Sequence, residues 1–228
     1  MLSFLALLYT GLITRPGIHL PRRKKKSNLI EIALSKELDE ARLSCAGKNW
    51  WGRALLLGYM AYVGFESAVD PMFQSLFKGF DLGVHELGHY LFAPLGEFMH
   101  VAGGSLFQCM LPFIAMVMFR QQRDFFGISF AFGWLGINLF DVATYADDAR
   151  TQQLQLVSPG AQGDEIIHDW NWLLNETHLL PYDHGVAQLM RFAAVLCMMA
   201  CLSMGSWLCW EMYRQRSQKP SKTLPLDQ

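Results

Sequence analysis

Five apolar blocks, residues 54–69, 72–93, 101–119, 125–143 and 186–210, decide what this chain can fold into. Each is long for a strand and suited to a helix. Charged residues make up 17% of the sequence, against about 25% in a soluble domain, and the deficit falls in the blocks. Such runs belong in hydrocarbon, where each backbone N–H and C=O needs a partner; a helix supplies one from its own turns. The sequence predicts an all-α integral membrane protein, a bundle of four to five transmembrane or re-entrant helices, with the lipid bilayer as its first partner.

The remaining segments divide into an N-terminal extension over 1–49, a membrane domain over 50–210 and a disordered basic tail over 211–228. Residues 1–14 are apolar but too short to cross hydrocarbon about 30 Å thick. Their basic cluster, Arg22 to Lys26, follows the apolar run, the reverse of a signal peptide, and reads as a cytoplasmic membrane-surface anchor. An amphipathic surface helix is expected over 28–46, capped by Ser27 or Asn28 and stopped at Gly47, with Trp50 and Trp51 beginning an interfacial belt. Residues 144–185 form a polar loop before the last span. Net charge is −1 and no aromatic platform accompanies the basic cluster, so nucleic acid is not a partner. Basic residues before the first block, at Arg120 and Arg123, and in the tail fall on one side only if a block is re-entrant. The third block, with Gly103-Gly104 and Pro112, is the expected one. The five cysteines are odd in number and lie mostly in apolar runs, as small buried hydrophobes rather than a disulfide framework.

Inside the second block stands His85-Glu86-Leu87-Gly88-His89. A separation of four residues is a little over one helical turn, so both histidines share a face and can grip one zinc ion. Glu86 lies beside them, placed to take a proton from a water that the metal activates. Ordinary usage puts H-E-x-x-H in on the order of 1% of chains this long. Apolar flanks lower that chance further, because charge and imidazole are costly in hydrocarbon.

Two histidines leave a catalytic zinc one protein ligand short. The H-x-x-G-x-x-H continuation of soluble metzincins is absent, since Phe92 and Leu95 stand where glycine and histidine would be. Two stretches offer the missing ligand. Asn138, Asp141, Tyr145 and Asp148 are spaced i, i+3, i+7, i+10 along one helix face, so Asp141 or Asp148 is a candidate; the bland reading is a stripe that bonds helix ends. The other stretch follows the turn Ser158–Gly163: His168 is the candidate there, or Asp169 directly, unless Asp169 caps a helix beginning at Trp170. Other histidines read as solvated. Gln108 suits a hydrogen bond to a metal ligand, to a substrate backbone or to a neighbouring helix, Glu97 suits a second carboxylate near the motif, and Gly88 permits close approach of a helix.

In these pieces the chain resembles membrane-embedded zinc metalloproteases of the site-2 protease type, which hold H-E-x-x-H within a transmembrane helix. More closely it resembles an uncharacterised group of bacterial multi-span membrane proteins. Their motifs read here as His85–His89, then Gly103-Gly104-Ser105 with Gln108 and Pro112, then Trp134–Leu139 with Asp148-Ala149-Arg150, then His168–Leu174, over roughly residues 50–185. The site-2 aspartate segment N-x-x-P-x-x-x-L-D-G has no counterpart, because Asn138-Leu139-Phe140-Asp141 lacks its proline and Asp-Gly. The resemblance implies a multi-pass protein of the bacterial inner membrane. It also implies a zinc metallopeptidase-like hydrolase acting on a membrane-protein or peptide substrate. The alternatives are a metal-binding assembly or regulatory factor without hydrolysis and, third, an ion-conducting or transport protein.

Overall fold

The computed structural model describes residues 29–154 and 168–218. Stretch 1–14, the basic cluster Arg22–Lys26 with its Ser27–Asn28 cap, the turn Ser158–Gly163 and the tail past residue 218 lie outside the described residues. No strand occurs among the described residues. The helices are α1 (Leu29–Ser44), α2 (Trp50–Val69), α3 (Lys78–Phe92), α4 (Glu97–Gln121), α5 (Phe125–Asp147), α6 (Asp169–Glu176) and α7 (Asp183–Ser217), with 3-10 turns at Ala93–Leu95 and Leu180–Tyr182. Residues 211–217, expected in the disordered tail, continue α7.

Three helices, Glu97–Gln121, Phe125–Asp147 and Leu180–Ser217, are long and apolar enough to cross a membrane, and they mark the chain as a membrane protein. α2 has 20 residues but carries Arg53 and Glu66, and does not join them. α5 and α7 lie side by side with α2 against both, and α4 covers another flank of α5. Met60 and Val63 of α2, Ile137 and Phe140 of α5, and Ala194, Met198 and Cys201 of α7 form the central core. A second core joins Ala41 and Cys45 of α1 to Phe125, Phe126, Leu208 and Met212. Around it Arg120 pairs with Glu37 at 2.6 Å and Glu40 at 3.3 Å, and Lys48 with Asp124 at 3.2 Å. The starts of α2 and α5 and the ends of α4 and α7 therefore meet at one end, which also carries Arg123 and Arg214. The five cysteines are free, and all but Cys109 are fully buried.

After α2 the chain turns back on itself. The Tyr59 hydroxyl accepts the Leu76 N–H at 3.3 Å, and the rings of Tyr62 and Tyr59 meet Phe73 at 5.8 Å and Phe77 at 6.2 Å. Phe77 in turn meets Phe130 at 6.1 Å, and Trp134 donates to Asp81 at 2.9 Å. Tyr59 and Trp134 both sit near the middle of their helices. α3 thus begins at mid-bundle and runs to the end opposite the basic one, a rise of about 22 Å for its length. The element that doubles back is the second block.

The third block, expected to be re-entrant, is instead a continuous helix of 25 residues. Its two weaknesses are both compensated. Gly103 packs on Gly88 of α3: a Cβ on Gly103 would lie 2.6 Å from the Gly88 carbonyl oxygen, so only glycine lets the backbones meet. Pro112 has no N–H for the Gln108 carbonyl four residues earlier, and Asn138 of α5 supplies one, its Nδ2 donating to that oxygen at 2.7 Å. A buried carbonyl left unbonded costs about 1–3 kcal/mol. Asn138→Leu is accordingly expected to lower the thermal midpoint measurably, and Pro112→Ala to restore much of the loss by returning the helical N–H. Equal effects of Asn138→Leu in the wild-type and Pro112→Ala backgrounds would contradict this pairing.

Candidate metal centre

The face of α3 turned toward α4 carries His85, which is buried, and His89, which is half-buried. Their rings lie 4.8 Å apart between centroids. Space for them comes from the neighbouring helix: a Cβ on Gly104 would sit 2.5 Å from His85 Nε2 and 2.6 Å from His89 Nε2. Gly88 and Gly103 bring α3 and α4 together, and Gly104, the next residue, leaves room for both imidazoles.

The other ring nitrogens meet carbonyl oxygens. His85 Nδ1 is 3.2 Å from Gln108 Oε1, and His89 Nδ1 is 2.8 Å from the His100 carbonyl. His100 Nδ1 donates in return to the His89 carbonyl at 2.9 Å, locking the ends of α3 and α4. A carbonyl oxygen only accepts, so each Nδ1 carries a hydrogen and each neutral ring presents its Nε2 lone pair.

Both Nε2 atoms face one carboxylate. Asp169 Oδ2 lies 3.1 Å from His85 Nε2 and 3.3 Å from His89 Nε2. His85, His89 and Asp169 offer ligand atoms that all fall within 4.8 Å of one another. Burial raises the Asp169 carboxyl's proton affinity, but protonated imidazoles, through their Nε2–H donors and their charge, outweigh it and hold the carboxyl below the usual carboxylate range.

Asp169 reaches this position because α6 is pinned on several sides. The Tyr145 hydroxyl accepts the Asp169 N–H at 3.0 Å, Trp170 Nε1 donates to Ser105 Oγ at 3.1 Å, and Asn171 Nδ2 to the Ala149 carbonyl at 2.7 Å. Leu173 packs on Val101 and Ala102 of α4. The cap of α6 is His168 rather than Asp169: its Nδ1 accepts the Asn171 N–H at 3.2 Å.

The other candidate ligands lie elsewhere. His168 faces other groups: its Nδ1 accepts the Asn171 N–H and its Nε2 stands 3.4 Å from Asp148 Oδ2. Asp148 itself holds a turn, accepting from Thr151 and from the Gln153 and Leu154 N–H groups at 2.9 Å. Asp141 pairs with Lys78 at 3.1 Å. The structure therefore brings together His85, His89 and Asp169, and leaves His168, Asp141 and Asp148 out of the cluster. Glu86 is half-buried, with its charge in electrostatic range of His89 and Tyr145. The His100 carbonyl is a backbone group without a sequence signal. Tyr145 belongs to the polar stripe, but nothing in its spacing marks it as the one that meets Asp169.

Compared with known proteins, the chain matches no family model, no curated protein and no solved structure.

Proposed function

We propose that this chain is a zinc metallopeptidase-like hydrolase embedded in the membrane, with His85, His89 and Asp169 as the metal ligands and Glu86 as the general base. One observation carries the reading. Two imidazole lone pairs and a carboxylate oxygen face one another at 3.1 and 3.3 Å, all electron-rich. With both Nδ1 hydrogens directed to carbonyl oxygens, the neutral rings place no donor hydrogen among these three atoms. A divalent ion satisfies all three groups at once. Zinc bonds of about 2.0–2.2 Å in tetrahedral geometry set donors about 3.3–3.5 Å apart, close to the two nitrogen–oxygen separations. Two nitrogens and one oxygen with a fourth position open suit catalytic zinc. Gln108 and the His100 carbonyl are the outer partners such ligands use.

Zinc held there supplies a Lewis acid and makes water more acidic. Glu86 takes a proton from the water that attacks the amide carbonyl, then returns it to the leaving nitrogen. A C–O bond forms, a C–N bond breaks, and one proton passes through Glu86. Glu86→Gln should keep zinc and lose cleavage by about 10²–10⁴-fold. Retained cleavage would remove Glu86 as the base. Retained zinc and biological function in a chain that cleaves nothing would favour the non-hydrolytic metal protein.

The path of the chain supports multi-pass placement. If α2, whose Arg53 and Glu66 lie toward its two ends, crosses beside the three apolar helices α4, α5 and α7 while α3 is re-entrant, the described basic residues Arg120, Arg123 and Arg214 fall at the end from which α2 starts, as the positive-inside bias requires. The centre then lies near the opposite surface, beneath α6, where a peptide at the bilayer edge and water can both reach it.

A further inference from the structure

The α3 face that carries His85 and His89 bears another buried polar side chain one turn earlier, Asp81. It is 1% exposed. Asp81 Oδ1 accepts the Trp134 indole N–H at 2.9 Å. Its Oδ2 has no hydrogen-bond partner, and neither has Asn138 Oδ1; among the described residues these are the two buried side-chain polar atoms left without one. Both belong to one polar seam between α3, α4 and α5. Asn138 follows Trp134 by one turn of α5 and donates to the Gln108 carbonyl, and the Gln108 side chain holds His85.

Both orphaned atoms are oxygens, and both lack a donor hydrogen. The charged and titratable groups around Asp81 do not supply it. On α3, Lys78 is paired with Asp141 of α5 at 3.1 Å. From α4 the seam receives Cys109, and from α5 the Asp141 carboxylate, which opposes a second negative charge. His85, one turn on, faces Gln108 and Asp169. An ionised Asp81 would rest on a single indole N–H and its place in the first turn of α3. Its second oxygen would be a buried negative charge with no donor, far costlier than a buried neutral acid.

We propose that Asp81 is a proton-binding site, a neutral carboxylic acid at physiological pH whose Oδ2–H supplies a donor that the seam lacks. The Lys78–Asp141 pair cancels, so the seam as a whole is uncharged. The negative charge facing the histidines then comes from Asp169 and Glu86 alone. The proposal does not depend on a metal being bound.

Infrared difference spectra of wild type against Asp81→Asn at neutral pH test it. The expected result is a carboxylic-acid C=O band present in wild type and lost in the variant, with the ionised-carboxylate bands unchanged. Loss of an ionised-carboxylate band instead would overturn the proposal. If Asp81→Asn does not fold, carboxyl-labelled aspartate is introduced into otherwise unaltered protein. A labelled aspartic-acid band at neutral pH supports the proton site, and a spectrum in which every labelled aspartate is ionised overturns it.

Discussion

Gly104→Ala is expected to abolish tight metal binding while leaving the helices in place. The added methyl would lie 2.5 and 2.6 Å from the two Nε2 atoms, closer than carbon and nitrogen can stand, and 2.7 Å from His85 Cδ2. Neither ring can swing away freely, because His85 is held through Nδ1 by Gln108 and His89 by the His100 carbonyl. Either the rings give up these bonds or α4 withdraws from α3. In each case the Nε2 atoms lose their convergence on Asp169. Disturbing the outer partners of metal ligands costs on the order of 10–100-fold in affinity, and a methyl intruding beside both ligand atoms should cost at least that. Isothermal titration with zinc reads the effect directly, and circular dichroism checks the helices. Unchanged affinity in a folded Gly104→Ala protein would mean that the two nitrogens do not act together on an ion.

The second large effect separates two adjacent residues. Asp169→Ala is expected to lower zinc affinity by more than about 100-fold, beyond the range for outer partners, because it removes the anionic ligand of the set. His168→Ala should leave zinc bound and instead loosen α6, whose first turn it caps through the Asn171 N–H. Losing such a cap costs about 0.5–2 kcal/mol, a modest drop in thermal midpoint. The reverse pattern, zinc lost with His168 and kept without Asp169, would contradict the geometry of α6.

How far the sequence revealed this arrangement depends on whether a feature is periodic or made by long-range docking. The long helices follow from apolar blocks whose backbones must bond internally, and the ends of α4 and α5 fall close to the block edges. His85 and His89 share a face by helical period alone. Gln108 is legible as a polar group inside an apolar block that needs a partner, and the partner its side chain meets is His85. Asp169 is legible as one option, but a histidine beside it is the commoner zinc ligand, and only the folded chain shows that Asp169 is the one that meets His85 and His89. The doubling back of residues 70–77 carries no periodic signature. It rests on Tyr59, Tyr62, Phe73 and Phe77 meeting across a short loop. The glycines and proline of the third block pointed to a break because, in isolation, they weaken a helix. In the bundle Gly103 answers to Gly88, and Pro112 to Asn138. Partners that lie 15 to 30 residues away in sequence cannot be paired by local rules.

The most direct measurement is the zinc content of the full chain purified without chelator, wild type beside His85→Ala. The proposed function predicts about one zinc per wild-type chain and essentially none in His85→Ala. Wild-type protein that is folded, free of metal and unable to take up added zinc would contradict the account at its centre.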